Sequence, residues 1–134
     1  MTMEKEKPSV DEWLREAKAE PGSRGCGMYL IHNGTVRETA RAKVREAAEG
    51  TRPVTGMRFH CDAEKVGQAV ERTRAMPGIG CVRVWLNEGE LGLGDDIMLV
   101  LIGGDIRPHV IDALQSLVGT IKNECVVEQE LYGE

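Results

Sequence analysis

The apolar positions of this chain repeat every second residue, or run together without a break, in several separate segments. Both patterns are typical of strands, which place successive side chains on opposite faces. The run DIMLVLI at 96–102 is apolar throughout, which predicts a strand buried on both faces. The predicted strands cover residues 26–32, 54–61, 79–86 and 96–102, and a last short strand contains Val126, Val127 and Leu131.

Three further segments carry apolar residues at helical spacing. Ser9-Val-Asp-Glu12 has the form of a capping box and predicts a first short helix, which Pro21-Gly22 ends. Asp62 is placed to cap a second helix, and Pro108 suits the first turn of a third. The predicted apolar faces are Trp13, Leu14 and Ala17; Ala63, Val66, Ala69, Val70 and Met76; and Val110, Ile111, Leu114, Leu117, Val118 and Ile121.

The order of these segments predicts the fold class. From residue 54 it runs strand, helix, strand, strand, helix, strand, with the glycine-rich stretch 87–94 as a connection. This order is typical of an α+β domain, a mostly antiparallel sheet with helices packed on it. We predict an N-terminal helix and lead-in over residues 1–24 and a single α+β domain over 25–134. Residues 34–53 are polar with Ala-rich helical fragments, which predicts a long, flap-like excursion.

Composition and charge exclude some classes of function. The length of 134 residues suits a single core, and the formal net charge of −5 argues against nonspecific nucleic-acid binding, which needs a basic surface. No run approaches the ~18 apolar residues of a membrane helix, and the N-terminus has no apolar signal core. We therefore expect a cytoplasmic protein that binds neither nucleic acid nor membrane.

The four cysteines and three histidines are scattered along the chain. They form no Cys-x-x-Cys pair and no spacing typical of a zinc site, so we predict no metal. Most simply, the cysteines are small buried side chains.

Four short motifs, in order and at matching distances, carry a resemblance. The segment GMYLIHNGTVRETAR at 27–41 resembles the Gly-Thr-Val-Arg segment of the molybdopterin synthase large subunit. The turn at 89–95 resembles that family's Gly-x-Leu-x-x-Gly-Glu turn, and Gly103 to Arg107 falls on its Ser-Ser-x-His-Arg. Ile121-Lys122 falls on its Leu-Lys. The similarity covers roughly residues 25–131 and identifies the chain as a distant member.

The resemblance implies an α/β-hammerhead-like fold and a role in molybdenum cofactor biosynthesis. It implies the catalytic subunit of a molybdopterin synthase, which transfers sulfur to a cyclic pyranopterin monophosphate. The sulfur donor would be a small ubiquitin-like carrier with a C-terminal Gly-Gly thiocarboxylate. It also implies a homodimer with one small subunit at each end, a heterotetramer. The sulfur-transfer step needs no cofactor, because the thiocarboxylate arrives activated.

Three residues at motif positions are the candidates for this chemistry. Arg37 and Arg107 are predicted to bind substrate, because a planar arginine matches phosphate oxygens. Lys122 is predicted to be catalytic, by holding the thiocarboxylate, assisting proton transfer or attacking the carbonyl. Two of them have structural alternatives: Arg37 can simply end a strand beside Glu38, and Lys122 can interact with a helix dipole. Arg107 lies at a helix start, where the dipole disfavours a cation, which favours a bound anion.

The chain also departs from the family pattern. Leu86-Asn87 replaces His-Arg, Ile106 replaces the histidine before the arginine, and residues 59–62 replace Tyr-Glu-x-Tyr. Residues 126–131 replace Pro-Ile-Trp-Lys-Lys-Glu, so the second active-site lysine is missing. A second hypothesis therefore stays open: a noncatalytic homologue that binds a sulfur-carrier tail or a pterin phosphate without sulfur transfer.

Overall fold

The computed structural model describes residues 6–38 and 53–132, which form two three-stranded antiparallel sheets and three α-helices. The helices are α1, Val10–Ala19; α2, Ala63–Arg74; and α3, Arg107–Thr120. A 3-10 turn, Pro21–Gly25, follows α1, and a π-helical turn, Ile121–Cys125, continues α3. The strands are β1, Met28–Thr35; β2, Val54–Cys61; β3, Ile79–Leu86; β4, Gly89–Gly92; β5, Asp96–Gly104; and β6, Val126–Tyr132.

The first sheet has the strand order β1-β5-β3, and its central strand is buried on both faces. On one face, Leu101 packs with Cys81 and with Ala17 of α1. On the other face, Val100 and Ile102 belong to the main core, which α2 and α3 cover. The predicted doubly buried strand is therefore confirmed, and it extends to Gly104.

The second sheet has the order β4-β2-β6, and its central strand alternates. Val54, Met57 and Phe59 are buried in the main core, whereas Arg58 and His60 are exposed. The same core contains Val100 of the first sheet, so the two sheets share one apolar interior. The α+β class and the antiparallel pairing are confirmed.

The helix termini follow the local sequence signals. The Ser9 hydroxyl accepts a hydrogen bond from the backbone N–H of Glu12 at 3.3 Å, as the capping box predicts. The Asp62 carboxylate accepts from the N–H groups of Glu64 and Lys65 at 3.1 and 3.2 Å. Pro108 lies in the first turn of α3.

Four details of the sequence interpretation are wrong. Ile111 was assigned to the apolar face of α3 but is exposed. Residues 89–92 were predicted as connection but form β4, because pairing with β2 imposes an extended backbone that glycines do not signal. Ala63 was assigned to an apolar face but is exposed in the first turn of α2. Met76 lies beyond the end of that helix.

The predicted excursion at 34–53 is described only at its ends. Gly34 and Thr35 belong to β1, and the N–H of Val36 donates to the carbonyl of Asp95 at 3.0 Å. The rest, 39–52, lies outside the described residues. The boundary predicted after residue 24 stays a prediction; α1 packs on the first sheet. Within the described ranges, none of the helices combines the length and apolarity needed to cross a membrane.

Candidate functional site

A cavity of about 420 Å³ opens where one end of the first sheet meets the second sheet. Its walls come from the end of β1 and the residues just after it, the start of β5, strands β2 and β6, and the π-helical turn. The volume lies within the range of small-molecule sites, roughly 300–1,000 Å³. The apolar part of the wall is formed by Val36, Val54, Met57 and Ile97, all of them buried.

Arg37 and Lys122 both line this cavity. Arg37 comes two residues after the end of β1, where Thr35 pairs with Asp96 at the start of β5. Lys122 comes from the π-helical turn that joins α3 to β6. Antiparallel pairing and the return of the chain into β6 thus bring together two cations that are far apart in sequence. Both are exposed, which suits contact with a ligand.

Arg107 lies elsewhere. It is the first residue of α3, whose 14 residues make it about 21 Å long, and Lys122 lies just beyond the other end. Arg37 lies near the first residue of β5, because Thr35 pairs with Asp96, whereas Arg107 follows the last residue of β5. The two ends of this nine-residue strand are about 27 Å apart. A single chain therefore brings Arg37 and Lys122 together and holds Arg107 apart. The substrate-binding role of Arg107 stays a prediction.

The surroundings of Arg107 contain a hydrogen-bonded pair that sequence reasoning did not find. Nδ1 of His109 lies 2.7 Å from Oδ1 of Asp105, and the N–H of Ile106 donates to the same oxygen at 2.6 Å. The hydrogen bond from His109 is the main cause that lowers the pKa of Asp105. The spacing of four residues at a helix start is the signal that could have suggested this pair.

His32 is a second feature that sequence reasoning missed, and it lies close enough to Lys122 to feel its charge. Burial lowers the pKa of His32, and the positive charge of Lys122 lowers that pKa further. Its Nε2 atom is buried and has no hydrogen-bond partner among the described residues. The two-residue period of β1 was the available signal, because it puts His32 on the same face as Met28 and Leu30, which pack on the main core.

Strand β6 contributes acidic and amide groups to the same cavity. Glu128, Gln129 and Glu130 all line it. They lie in the segment 126–131, one of the segments in which the chain departs from the sequence pattern that it otherwise resembles. Oε1 of Glu128 is buried and has no hydrogen-bond partner within the part of the chain that the structure describes.

The cavity therefore combines two cations, two carboxylates and an apolar wall. Such a site suits a ligand with three parts: an anionic group for the cations, hydrogen-bond donors for the carboxylates, and a flat or apolar body between them.

The cysteines lie apart from these charges. All four are free thiols. Burial is the main cause that raises the pKa of Cys61 and of Cys81 to about 11 in each case, which disfavours the reactive thiolate. Across residues 6–38 and 53–132, no three His, Cys, Asp or Glu side chains are grouped in a way that could hold a metal ion.

The family model described as MoaE protein matches residues 3–124 of this chain. The chain belongs to the MoaE family. Membership confirms the resemblance seen in the sequence and gives the chain a role in molybdenum cofactor biosynthesis, as the catalytic subunit of molybdopterin synthase. The match ends before β6, so the strand that carries Glu128, Gln129 and Glu130 lies outside it.

Solved structures share the fold. The chain is similar to molybdopterin synthase from Staphylococcus aureus, at 16% identity and a TM-score of 0.70, over 96% of this chain and 88% of that one. It is similar to the MoaE protein of Burkholderia ambifaria, at 17% identity and a TM-score of 0.67, over 96% and 82% of the two chains.

A third similar structure is a protein–protein complex of subunits 1 and 2 of molybdopterin-converting factor from Helicobacter pylori. The identity is 13% and the TM-score 0.64, over 93% of this chain and 80% of that one. No curated protein matches the sequence significantly.

Proposed function

We propose that this MoaE protein transfers sulfur from a small thiocarboxylated carrier to a cyclic pyranopterin monophosphate. The observation that carries the proposal is the meeting of Arg37 and Lys122 at one cavity. Motif position in the sequence points to the same two residues independently of the geometry. Two fixed cations beside an apolar wall suit a substrate and a donor tail that are both anionic.

In this proposal Arg37 binds the phosphate of the pterin. Its planar fork donates to two oxygens at once, and each charge-assisted hydrogen bond contributes about 1.5–3 kcal/mol. Arg107 has the same predicted role, although one chain holds it away from this cavity.

Lys122 is the proposed catalytic residue. Its four-carbon side chain extends from the π-helical turn to the cavity wall, where an ammonium or amine can hold or attack the carrier's terminal carbonyl. The effect of its charge on His32 supports this placement near the core-facing side of β1.

The partner in this proposal is the small carrier that the family resemblance implies. The carrier must present a flexible Gly-Gly tail narrow enough to enter the cavity. The Helicobacter pylori complex, formed by the two subunits of a related factor, supports a small partner subunit for this chain as well. We also propose a homodimer of the chain, with one small subunit on each copy.

The decisive experiment mixes the protein with thiocarboxylated carrier and pterin precursor and measures dithiolene formation. Wild type should be active, and Lys122→Ala should abolish activity while leaving the thermal midpoint almost unchanged, because Lys122 is exposed. Lys122→Arg should keep the charge without restoring activity, because arginine does not release its proton.

Lys18→Ala is the matched control, since Lys18 is an exposed helical lysine on α1 that does not line the cavity. It should leave activity unchanged. An inactive wild type would refute the enzymatic proposal, and an active Lys122→Ala variant would remove Lys122 from it.

The noncatalytic alternative has one observation in its favour. Gln129 and Glu130 line the cavity wall at the two positions where the resemblance would place lysines. If they have abolished sulfur transfer, the protein should bind the carrier tail or pterin phosphate without producing dithiolene. Titration of each ligand beside the activity assay separates the two candidates.

A further inference from the structure

One carboxylate oxygen of Glu128 has an unusual environment. This oxygen, Oε1, is inaccessible to solvent and accepts no hydrogen bond from any residue that the structure describes. A buried acceptor without a donor is costly, so native proteins rarely keep one without a reason. Since Glu128 lines the cavity, rotation of its carboxyl group would turn this oxygen toward a ligand that supplies the missing donor.

The cations of the cavity do not supply that donor. Among the described residues, neither Arg37 nor Lys122 forms an ion pair with Glu128. Neither cation is therefore the partner of the buried Glu128 oxygen, and Val54 and Met57 contribute apolar wall to the same cavity. A ligand that fills it must carry N–H donors as well as an anion.

A pterin base has this combination of groups. Its 2-amino group and adjacent ring N–H form a planar edge with two parallel donors, which a carboxylate accepts in the geometry of a charge-assisted pair. Its flat ring suits the apolar wall, and a phosphate at its far end suits Arg37.

We infer that Glu128 recognises the amino-pyrimidine edge of the pterin and determines the selectivity of the cavity for a 2-amino base. The inference rests on the proposed function, because it takes the pterin substrate from there. Glu128 is a binding residue of this chain's own β6, in the region beyond the family match.

Direct binding tests this role with two fluorescent probes. Pterin carries the 2-amino donor, whereas lumazine carries a carbonyl oxygen at that position, which would face the carboxylate as a second acceptor. Wild type should bind pterin at least about tenfold more tightly than lumazine, since a site built for a donor disfavours an analogue that lacks it.

Glu128→Gln should reduce this preference to about threefold or less, because the amide offers a donor as well as an acceptor. Its thermal midpoint should stay nearly unchanged, since glutamine keeps the size and shape of a side chain that is only half-buried. Glu124→Gln is the matched control: Glu124 is an exposed acid in the π-helical turn, outside the cavity wall, and its variant should keep the full preference.

Equal affinity of wild type for the two probes would overturn the inference, and so would a Glu128→Gln variant that keeps the preference. If Glu128→Gln does not fold, the inference can still be overturned by wild type alone, through equal affinity for pterin and lumazine. The proposed sulfur transfer and the proposed role of Glu128 can fail independently, and the experiments distinguish the two failures. Dithiolene formation with a retained preference in Glu128→Gln refutes only the role of Glu128. Lost preference in that variant, with an inactive wild type, refutes only sulfur transfer.

Discussion

The two sheets share one core but are built differently. The central strand of the first sheet, β5, is covered on both faces, by α1 on one side and by the main core on the other. The central strand of the second sheet, β2, is buried on one face only, and its edge strand β6 leaves Val127 66% exposed. The first sheet is thus an interior element, and the second is half surface.

This difference separates stability from function within the molecule. The doubly covered strand buries the most apolar surface, which is the main source of folding free energy. The open sheet presents polar side chains, and its β6 supplies three polar residues to the cavity. The candidate site lies at the junction, where a rigid sheet end positions Arg37 and the turn before a more exposed strand positions Lys122.

The largest expected effect is on stability. Leu101→Ala removes a fully buried side chain from β5 and should lower the free energy of unfolding by about 2–5 kcal/mol. Val127→Ala in β6 should change it by no more than about 0.5 kcal/mol, because Val127 is largely exposed. Urea unfolding of both variants measures the contrast. Comparable losses would show that the second sheet is as tightly packed as the first.

The next effect is on binding at the junction. Arg37→Ala should weaken binding of the pterin monophosphate about tenfold to a hundredfold, through loss of charge-assisted hydrogen bonds. Calorimetric titration measures the affinity. Arg24→Ala, an exposed arginine of the 3-10 turn, is the control and should bind normally.

Arg107→Ala sharpens the same comparison. If this variant also binds weakly, the predicted role of Arg107 holds, and the residue must reach the ligand in an assembly, since one chain keeps it apart. If Arg37→Ala instead binds the pterin monophosphate with wild-type affinity, Arg37 has no role in binding this ligand.

The smallest expected effect concerns the pH response of His32. Burial and Lys122 both lower its pKa, so Lys122→Gln should raise that pKa part of the way toward its ordinary value of about 6.5, with burial still opposing it. A titration of the His32 ring by NMR measures the change. Lys18→Gln is the control and should leave the pKa of His32 at its wild-type value. If Lys18→Gln raised this pKa as much as Lys122→Gln does, the proximity of Lys122 to His32 would be contradicted.

The same lowered pKa affects stability. The unfolded chain takes up a proton at His32 first as the pH falls through about 6.5, so the free energy of unfolding falls from there and levels off below the folded pKa. His32→Gln should remove this part of the pH dependence. Parallel pH profiles for the two proteins would show that His32 is not perturbed.

Local sequence signals determined the element positions with good accuracy. β2 and β3 begin and end at the predicted residues, and the caps of α1 and α2 are the predicted Ser9 and Asp62. These features depend on side-chain period and on hydrogen bonds within one turn, which lie close together in the chain. The glycine-rich β4 has no such period, and only its pairing with β2 makes it a strand.

The sequence by itself also determined the family, and it singled out Arg37 and Lys122, because motif order and spacing survive in the chain even at 16% identity to a structural relative. Tertiary structure alone decided which candidates meet. The register of β1 on β5 and the return of β6 beside β2 place Arg37 and Lys122 at one cavity and add Glu128 to its wall. They bring His32 within reach of the charge of Lys122 and leave Arg107 at the other end of the first sheet. The physical reason is that these meetings depend on pairing between distant segments, and no short stretch of sequence contains that information.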